Sequence, residues 1–310
     1  MKQVVTTMIT PYAPDGSVDL DTAARYVEWY AAGGCTGIFS LCQSSEIFFL
    51  SLEERIALQR TVWQKAQEIE RRDGKRPDII AYGHVSADTD AAAEELNAVI
   101  NEGADALVLI TNRLDPKNEG DAVWIANAEK LLARLPAGLS LGLYECPHPY
   151  KRLLTPEILR WCISTGRFRY IKDTCCDFNT IAERAALLEG SGTALLNANC
   201  QTLLDSLIAG ADGYCGIMAN FHPKLYVWLC ENYERSPQQA AFIQSILCSA
   251  GFIESAVSYP MSAKYHMCLE GIPTCITARC APDHIFSDYE KSCVKQLKLL
   301  TDVVCGGMLA

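Results

Sequence analysis

The sequence lacks three features that mark common protein classes. Its 310 residues contain no run of about 18 apolar residues, no basic cluster beyond Arg71 to Arg76, and no Gly-x-Gly-x-x-Gly after a predicted strand. The first absence argues against a membrane-spanning helix, and the third against a dinucleotide-binding sheet. With 27 Lys and Arg against 37 Asp and Glu, the net charge of −10 gives no attraction for phosphate backbones. We therefore expect neither nucleic acid nor a membrane as partner.

The sequence also lacks the patterns that use cysteine structurally. It has 15 cysteines, an odd number, and no Cys-x-x-Cys pair. The start breaks at Thr10-Pro11 before an apolar core of signal-peptide length forms. We expect a cytoplasmic protein without a disulfide framework or a zinc site. The one adjacent pair, Cys175-Cys176, faces two directions and is not expected to chelate a metal.

The composition fits a globular protein with a large core, because 49% of the residues are hydrophobic and 21% are charged. Short β-rich runs alternate with helical stretches. The predicted strands are Val4–Ile9, Gly37–Cys42, Ile79–Gly83, Ala106–Thr111, Ser140–Cys146, Phe168–Thr174, Ala194–Asn199 and Gly213–Met218. The predicted helices are 21–32, 51–72, 86–102, 118–134, 155–165, 178–189, 201–210 and 223–233. Eight strand–helix units predict an α/β fold, a (β/α)₈ TIM barrel.

Local signals support these bounds and set the domains. Asp19 or Asp21 is expected to cap the first helix, and Ser51-Leu52-Glu53-Glu54 is a capping box. Gly-Ala-Asp occurs at 103–105 and 210–212 as the turn between a helix and a strand. The barrel is predicted at 1–234 and a C-terminal helical segment at 235–310. In that segment, 237–304 is expected to form two or three helices broken at Gly251, 271–273 and 281–283.

Catalytic groups of such a barrel lie at the carboxyl ends of its strands. The two-residue alternation of a strand turns Tyr144 and Lys172 inward, whereas Ile171 turns outward. Burial of an amine favours its neutral form, which attacks carbonyl carbons. Two other readings remain open: Lys172 pairs with Asp173, or it reaches solvent at the rim.

The loop after the second strand, Cys42-Gln43-Ser44-Ser45-Glu46, is a candidate carboxylate site. Its hydroxyls and backbone N–H groups suit a small carboxylate. Serine and glutamate after a strand also serve as ordinary turn and capping residues.

Several motifs occur together in a characteristic order: Thr10-Pro11-Tyr12, Leu50 to Arg55, Gly103-Ala104-Asp105-Ala106, Tyr144-Glu145-Cys146-Pro147, Ile171-Lys172-Asp173-Thr174 and Gly210-Ala211-Asp212-Gly213. Through them the sequence resembles the dihydrodipicolinate synthase and N-acetylneuraminate lyase superfamily of class I, Schiff-base aldolases. The resemblance covers most of the barrel.

The resemblance implies that Lys172 forms the imine with pyruvate and that Tyr144 shuttles protons beside it. It also implies that Gln43, Ser44 and Ser45 belong to the loop that holds the keto acid's carboxylate. The family pattern there is Gly-Ser/Thr-Thr-Gly-Glu. In this chain Gln43 replaces a hydroxyl and both glycines are absent, which narrows the backbone freedom of the loop.

Two departures speak against the lysine-biosynthetic synthase itself. That subgroup has Thr-Pro-Tyr-Tyr after the fourth strand, and its second tyrosine enters the neighbouring subunit's proton relay. This chain has Thr111-Asn112-Arg113-Leu114. Pro149 stands where the subgroup has an arginine that grips the aldehyde substrate's carboxylate.

Residues expected just past strand ends are candidates for binding a second substrate. They are Glu145, His148, Arg113 and Asn199, with Asn197 beside it and Cys215 on the eighth strand. Each has a structural alternative: His148 shapes a surface loop, and Arg113 pairs with Asp115 or Glu119. His84 is either a site residue or a buried, hydrogen-bonded histidine.

We therefore expect a Schiff-base-forming lyase or aldolase that makes or breaks a carbon–carbon bond next to pyruvate or a related 2-keto acid, with an aldehyde as second substrate. No cofactor or metal is expected, since the covalent imine with Lys172 serves as the electron sink. The alternative is a catalytically silent barrel that binds a 2-keto acid or has a regulatory role. An aldolase for phosphorylated sugars would need a glycine-rich phosphate cradle after strands seven and eight, which 197–200 and 216–219 do not supply. The resemblance implies a homo-oligomer, a dimer or a homotetramer built from dimers.

Overall fold

A computed structural model describes residues 2–82 and 84–308 of the chain. Eight parallel strands form a closed barrel in which each strand pairs with the next along the chain and the eighth pairs with the first. The strands are β1 (Gln3–Thr7), β2 (Gly37–Phe39), β3 (Asp78–Tyr82), β4 (Ala106–Ile110), β5 (Leu141–Tyr144), β6 (Phe168–Asp173), β7 (Ala194–Asn197) and β8 (Gly213–Gly216). The predicted TIM barrel is confirmed. Gly83, the expected end of the third strand, lies outside the described residues, as do Met1, Leu309 and Ala310.

A helix follows each strand and covers the barrel. These helices are α1 (Leu20–Ala32), α2 (Leu52–Asp73), α3 (Thr89–Ile100), α4 (Asp121–Leu132), α5 (Pro156–Thr165), α6 (Phe178–Leu188), α7 (Leu203–Ile208) and α8 (Pro223–Asn232). Asp19 caps α1 by accepting from the backbone N–H of Thr22. Ser51 and Glu54 form the predicted capping box of α2. These caps satisfy N–H groups that the first turn of a helix leaves unpaired.

The two Gly-Ala-Asp turns connect helices to strands and tie neighbouring strands together. Gly103 and Gly210 adopt φ of +100° and +106°, a region that favours glycine. The Asp105 carboxylate accepts from the N–H of Ile79 at 2.7 Å, and the Asp212 carboxylate accepts from the N–H of Leu195 at 2.9 Å. Each aspartate therefore joins the start of its own strand to the preceding one.

Beyond α8 the described chain is helical: α9 (Pro237–Ala256), α10 (Met261–Leu269) and α11 (Asp288–Met308). The predicted break at Gly251 is wrong, because this residue lies within α9. A Cβ at Gly251 would overlap the sulfur of Cys200, so glycine permits the helix to pack closely here rather than end it. The breaks at 271–273 and 281–283 fall between α10 and α11.

Within the described residues, no single helix has the length and hydropathy needed to cross a membrane. The pair α9 and α10 meets both criteria together but is bent by 118°.

Candidate active site

A cavity of about 450 Å³ opens at the carboxyl ends of the strands. Its walls come from the loop after β2, the ends of β5 and β6, the segment after β8, and the C-terminal segment. The lining residues are Gln43, Ser44, Glu46, Phe48, Phe49, Tyr144, His148, Lys172, Ile217, Tyr259, Pro260 and Cys280. Volumes of 300 to 1,000 Å³ are usual for small-molecule sites.

Lys172 and Tyr144 meet inside this cavity. The two residues pair directly across the β5–β6 register, so their side chains point to the same face of the sheet. The Lys172 Nζ atom lies 4.2 Å from the centroid of the Tyr144 ring and 5.4 Å from that of Phe39. Lys172 is 7% exposed and Tyr144 4%. The amine thus lies in a largely apolar site beside a phenol.

The carboxylates that follow these two residues point out of the barrel. Asp173 and Glu145 are fully buried and both pair with Arg184 of α6, Glu145 at 2.8 Å. Glu145 also accepts from the N–H groups of Leu154 and Thr174. Among the described residues Lys172 makes no ion pair, so the alternative in which it pairs with Asp173 is wrong. Glu145, a candidate for substrate binding, does not reach the cavity.

Arg184 therefore fixes the ends of β5 and β6 from outside. Its guanidinium also donates to the carbonyl oxygen of Leu154 at 2.6 Å. Burial raises the pKa of Glu145, and the Arg184 charge opposes that effect. Because Tyr144 and Lys172 each precede one of the anchored carboxylates by one residue, Arg184 is a positioning residue for both.

The Tyr144 hydroxyl has a defined acceptor. It donates to the side-chain oxygen of Gln43 at 3.1 Å. The Cys146 thiol lies 3.7 Å from the same oxygen. Burial raises the pKa of Tyr144 well above its usual value, so this phenol stays protonated at neutral pH. Gln43, which stands where the family pattern has a hydroxyl, is thus the hydrogen-bond acceptor of Tyr144.

The two serines of the loop after β2 have different roles. The Ser44 hydroxyl lines the cavity and donates to the Thr7 hydroxyl at 3.1 Å. The Ser45 hydroxyl turns back and bonds the N–H and carbonyl of Cys42 at 2.5 and 2.7 Å. Ser45 is fully buried and shapes the turn, whereas Ser44 is available to a ligand.

Tyr259 also lines the cavity, although the sequence patterns did not predict it as a site residue. Its hydroxyl accepts from the side-chain amide of Asn220 at 3.2 Å. Burial raises the pKa of Tyr259, while the Ser44 and Thr7 hydroxyls beside it act in the opposite direction. A second buried phenol therefore faces the cavity next to Ser44. Tyr259 precedes α10 in a segment without strand periodicity, so no sequence signal placed it over the barrel.

The C-terminal segment is held over the cavity by a buried ion pair. Lys264 of α10 is fully buried, and its Nζ atom lies 3.1 Å from the Glu46 carboxylate. The other Glu46 oxygen accepts from the N–H of Cys280 at 3.0 Å. Glu46 has φ of +58°, a left-handed conformation that presents its side chain to α10.

His148 and Arg113 both flank Phe48. The His148 ring lines the cavity with its centroid 5.1 Å from that of Phe48. The Arg113 guanidinium carbon lies 5.8 Å from the Phe48 centroid, but Arg113 lines a separate cleft with His84 and Leu114. The structure thus brings His148 into the site and leaves Arg113 beside it.

The remaining candidates lie around the site without lining it: Asn197 and Cys215 are buried, and Asn199 is half-buried. The Asn199 side chain accepts from the N–H of Thr202 at 3.1 Å, and Asn197 donates to Thr202 and Ser206. Cys215 is 2% exposed; burial raises the pKa of its thiol to about 12, with the nearby Lys172 charge acting in the opposite direction.

His84 is a buried, hydrogen-bonded histidine and not a residue of the cavity. Its ring accepts from the backbone N–H of Ile110 at 3.2 Å. Burial lowers its pKa to about 4. No cluster of three or more metal-ligating side chains occurs within residues 2–82 and 84–308.

Comparisons with known proteins agree with this geometry. The chain is 24% identical over 290 residues to 4-hydroxy-tetrahydrodipicolinate synthase of Saccharophagus degradans, covering 85% of this chain and 94% of that enzyme. It is also 24% identical over 277 residues to an uncharacterized DapA-like lyase of Thermococcus onnurineus, covering 87% and 89%.

Solved structures show the same fold. YagE of E. coli K12, a dihydrodipicolinic acid synthase family protein in complex with pyruvate, superposes with a TM-score of 0.81 at 21% identity over 98% of both chains. CdNal of Clostridium difficile, in complex with mannosamine, superposes with a TM-score of 0.83 at 15% identity over 97% of this chain and 99% of that chain.

The model of the dihydrodipicolinate synthetase family matches residues 1–298 of the 310. That match spans the barrel and most of the C-terminal segment, and it confirms the resemblance predicted from the motifs. The chain belongs to the dihydrodipicolinate synthetase family.

Proposed function

We propose that this protein is a Schiff-base lyase or aldolase that forms an imine between Lys172 and pyruvate or a related 2-keto acid. The observation that carries the proposal is a buried amine without a carboxylate partner in the described chain, 4.2 Å from the ring of a phenol. Family membership supports a pyruvate-dependent Schiff-base lyase. The pyruvate complex of a structural neighbour at 21% identity is consistent with it.

The chemistry follows from the positions of these groups. The neutral Lys172 amine attacks the C2 carbonyl of the keto acid, and Tyr144 donates a proton to the oxygen that leaves as water. The resulting iminium withdraws electrons from C3. Loss of a C3 proton, or cleavage of the bond beyond C3, then leaves an enamine rather than a carbanion. Hydrolysis returns the Lys172 amine.

The carboxylate of the keto acid needs donors that are not consumed by this chemistry. The hydroxyls of Ser44 and Tyr259 lie next to each other on the cavity wall, with Thr7 behind them. We assign carboxylate binding to Ser44 and Tyr259. Hydrogen bonds to a charged acceptor in such a site are worth about 1.5 to 3 kcal/mol each.

We further propose that the imine serves without a metal or other cofactor. The reaction is expected to differ from that of the lysine-biosynthetic synthase, because Leu114 and Pro149 replace two of that subgroup's side chains. A homo-oligomeric assembly and a cytoplasmic location are likewise proposals drawn from the family pattern and the sequence.

Borohydride trapping tests this function. Incubation with pyruvate and borohydride should reduce the imine, and mass spectrometry should locate the adduct on Lys172. Lys172→Ala should abolish the adduct and turnover, whereas Lys151→Ala, a lysine outside the cavity, should retain both. Tyr144→Phe should slow turnover by roughly 10² to 10⁴ while some imine still forms.

The catalytically silent alternative is favoured by one observation, the replacement of a loop hydroxyl by Gln43. The Gln43 amide oxygen accepts a hydrogen bond from the Tyr144 hydroxyl. Unlike a hydroxyl, an amide oxygen has no proton to pass on. Trapping without turnover over a panel of 2-keto acids and aldehydes would favour that alternative. Absence of any trapped lysine would remove the Schiff-base chemistry altogether.

A further inference from the structure

The cavity has a polar inner end and an apolar outer end. Lys172, Tyr144 and Ser44 are at most 7% exposed and form the inner end. Phe49, which is 49% exposed, and the exposed Cys280 mark the mouth. Between the two ends the second substrate must approach the enamine carbon. The side chains available there are mainly aromatic or aliphatic: Phe48, Phe49, Ile217 and Pro260, with His148 and Gln43 as the polar exceptions.

The two charged side chains at the mouth, Glu46 and Arg279, are already paired. Glu46 is held by Lys264 and by the N–H of Cys280. Arg279, near the mouth, forms two contacts of 2.6 and 2.8 Å with Glu54. Lys172 itself is occupied by the imine. A carboxylate on the second substrate would therefore lose its hydration without gaining a cation from the lining side chains.

A polyhydroxylated substrate would meet a similar difficulty. Each hydroxyl that leaves water without a new hydrogen bond costs about 1 to 3 kcal/mol. Beyond the inner end the lining offers two polar side chains for such hydrogen bonds. The His148 ring packs against Phe48 at 5.1 Å between centroids, and the exposed Gln43 already accepts from the Tyr144 hydroxyl through its amide oxygen. By contrast, a flat apolar group can stack on the Phe48 ring and displace water from apolar surface.

We propose that the second substrate is an uncharged apolar aldehyde, best an aromatic one, and that Phe48 determines this specificity. The inference rests on the proposed Schiff-base function. In the condensation, C3 of the enamine attacks the aldehyde carbon and forms the new carbon–carbon bond. The Tyr144 phenolate left by imine formation takes the C3 proton, so that Tyr144 can then protonate the aldehyde oxygen. Water adds to the resulting iminium and returns a proton to Tyr144, and collapse of the adduct releases a 4-hydroxy-2-keto acid and the Lys172 amine.

The test compares three aldehydes with pyruvate: benzaldehyde, the carboxylated succinic semialdehyde, and the polyhydroxylated glyceraldehyde. Products are quantified by chromatography with mass spectrometry, and kcat/KM is measured for each aldehyde. We expect benzaldehyde to be preferred by about tenfold or more over both others, the size of discrimination that an apolar pocket provides.

Two variants test whether Phe48 causes the preference for benzaldehyde. Phe48→Ser should reduce the ratio of benzaldehyde to glyceraldehyde kcat/KM by about 10- to 100-fold while leaving the borohydride-trapped pyruvate adduct on Lys172. Phe242→Ser, which changes an exposed phenylalanine of α9, should leave the ratio unchanged.

Different results overturn different claims. Failure of wild-type protein to trap pyruvate refutes the Schiff-base function itself. Trapped pyruvate with equal or better use of glyceraldehyde refutes the apolar specificity, and so does pyruvate trapping without condensation of benzaldehyde. Preference for succinic semialdehyde also refutes it and points to Arg113, whose guanidinium lies on Phe48. An unchanged ratio in folded Phe48→Ser refutes the role of that ring.

Discussion

Two phenols of the site are placed for different tasks: Tyr144 for proton transfer and Tyr259 for binding the carboxylate of the keto acid. Tyr144 donates to Gln43, and an amide oxygen ends a hydrogen-bond chain because it accepts without donating. Tyr259 instead lies beside the hydroxyls of Ser44 and Thr7. The two phenols thus face different parts of a bound keto acid, and their removal should affect different kinetic constants.

Tyr259→Phe should raise the KM for pyruvate by about tenfold or more and change kcat by less than about threefold. The physical reason is the loss of one hydrogen bond to a carboxylate that is held alike in the ground and transition states. Steady-state kinetics with varied pyruvate provide the measurement. Tyr265→Phe, a tyrosine of α10 that packs on Phe286 outside the cavity, is the matched control. A fall in kcat at constant KM would instead assign Tyr259 to proton transfer.

The strand alternation predicted part of the site and explains why other candidates fall outside it. Lys172 and Tyr144 face inward with the period of two, and the same period turns Glu145 outward to Arg184. Asn199 and Ser45 lie in turns whose own backbone groups use their side chains. Tyr259 was not predictable, because its place over the barrel depends on how the C-terminal helices pack.

Among the elements, the loop after β2 and α10 depend on each other through Glu46 and Lys264. Burial lowers the pKa of Lys264, and Glu46 opposes that effect. The Lys264 amine also donates to the Thr277 carbonyl at 2.5 Å. Since Glu46 lines the cavity, this pair couples the stability of the C-terminal segment to the shape of the substrate loop.

Lys264→Met should lower the free energy of unfolding by about 3 to 5 kcal/mol, because it leaves Glu46 buried without its cation. Urea denaturation followed by circular dichroism measures the change. The double variant Lys264→Met with Glu46→Gln should recover much of the loss, since it removes the uncompensated charge. Lys291→Met, which breaks an exposed pair with Asp288, should change stability by less than about 1 kcal/mol. Equal effects of the Lys264 and Lys291 variants would contradict this account.

Element boundaries show what local sequence signals can and cannot establish. The caps of α1 and α2 were predictable, because capping is decided by a few adjacent residues. Gly251 was misread as a helix break, because its close contact with Cys200 comes from a residue about fifty positions away. A glycine required for packing and one that ends a helix look alike in a sequence.

At the scale of the whole molecule, the barrel was predictable because the strand–helix unit repeats eight times along the sequence. Eight alternations of strand and helix admit few topologies, since parallel strands joined by right-handed crossovers close at eight. The C-terminal segment carries no such repeat. Its helical character was predictable as two or three helices, and its described residues form three, but its contacts at Glu46 and the position of Tyr259 required the packed structure.

Closure of the barrel depends on Gly213, which pairs with Gln3 of β1 on one side and Leu196 of β7 on the other. A Cβ at Gly213 would overlap the backbone of Gln3. Gly213→Ala should therefore force β1 and β8 apart and lower the free energy of unfolding by about 3 kcal/mol or more. In a chain of this size, a loss of about 3 kcal/mol lowers the thermal midpoint by roughly 4 to 5 °C.

Gly138→Ala is the matched control, because a Cβ there meets no atom within 4 Å. Its effect should stay within about 0.5 kcal/mol. Differential scanning calorimetry of both variants measures the contrast. Loss of soluble Gly213→Ala protein, with normal recovery of Gly138→Ala, would agree with failed closure. Equal midpoints would mean that the first and last strands can separate without cost, and that the closed ring does not limit the stability of the fold.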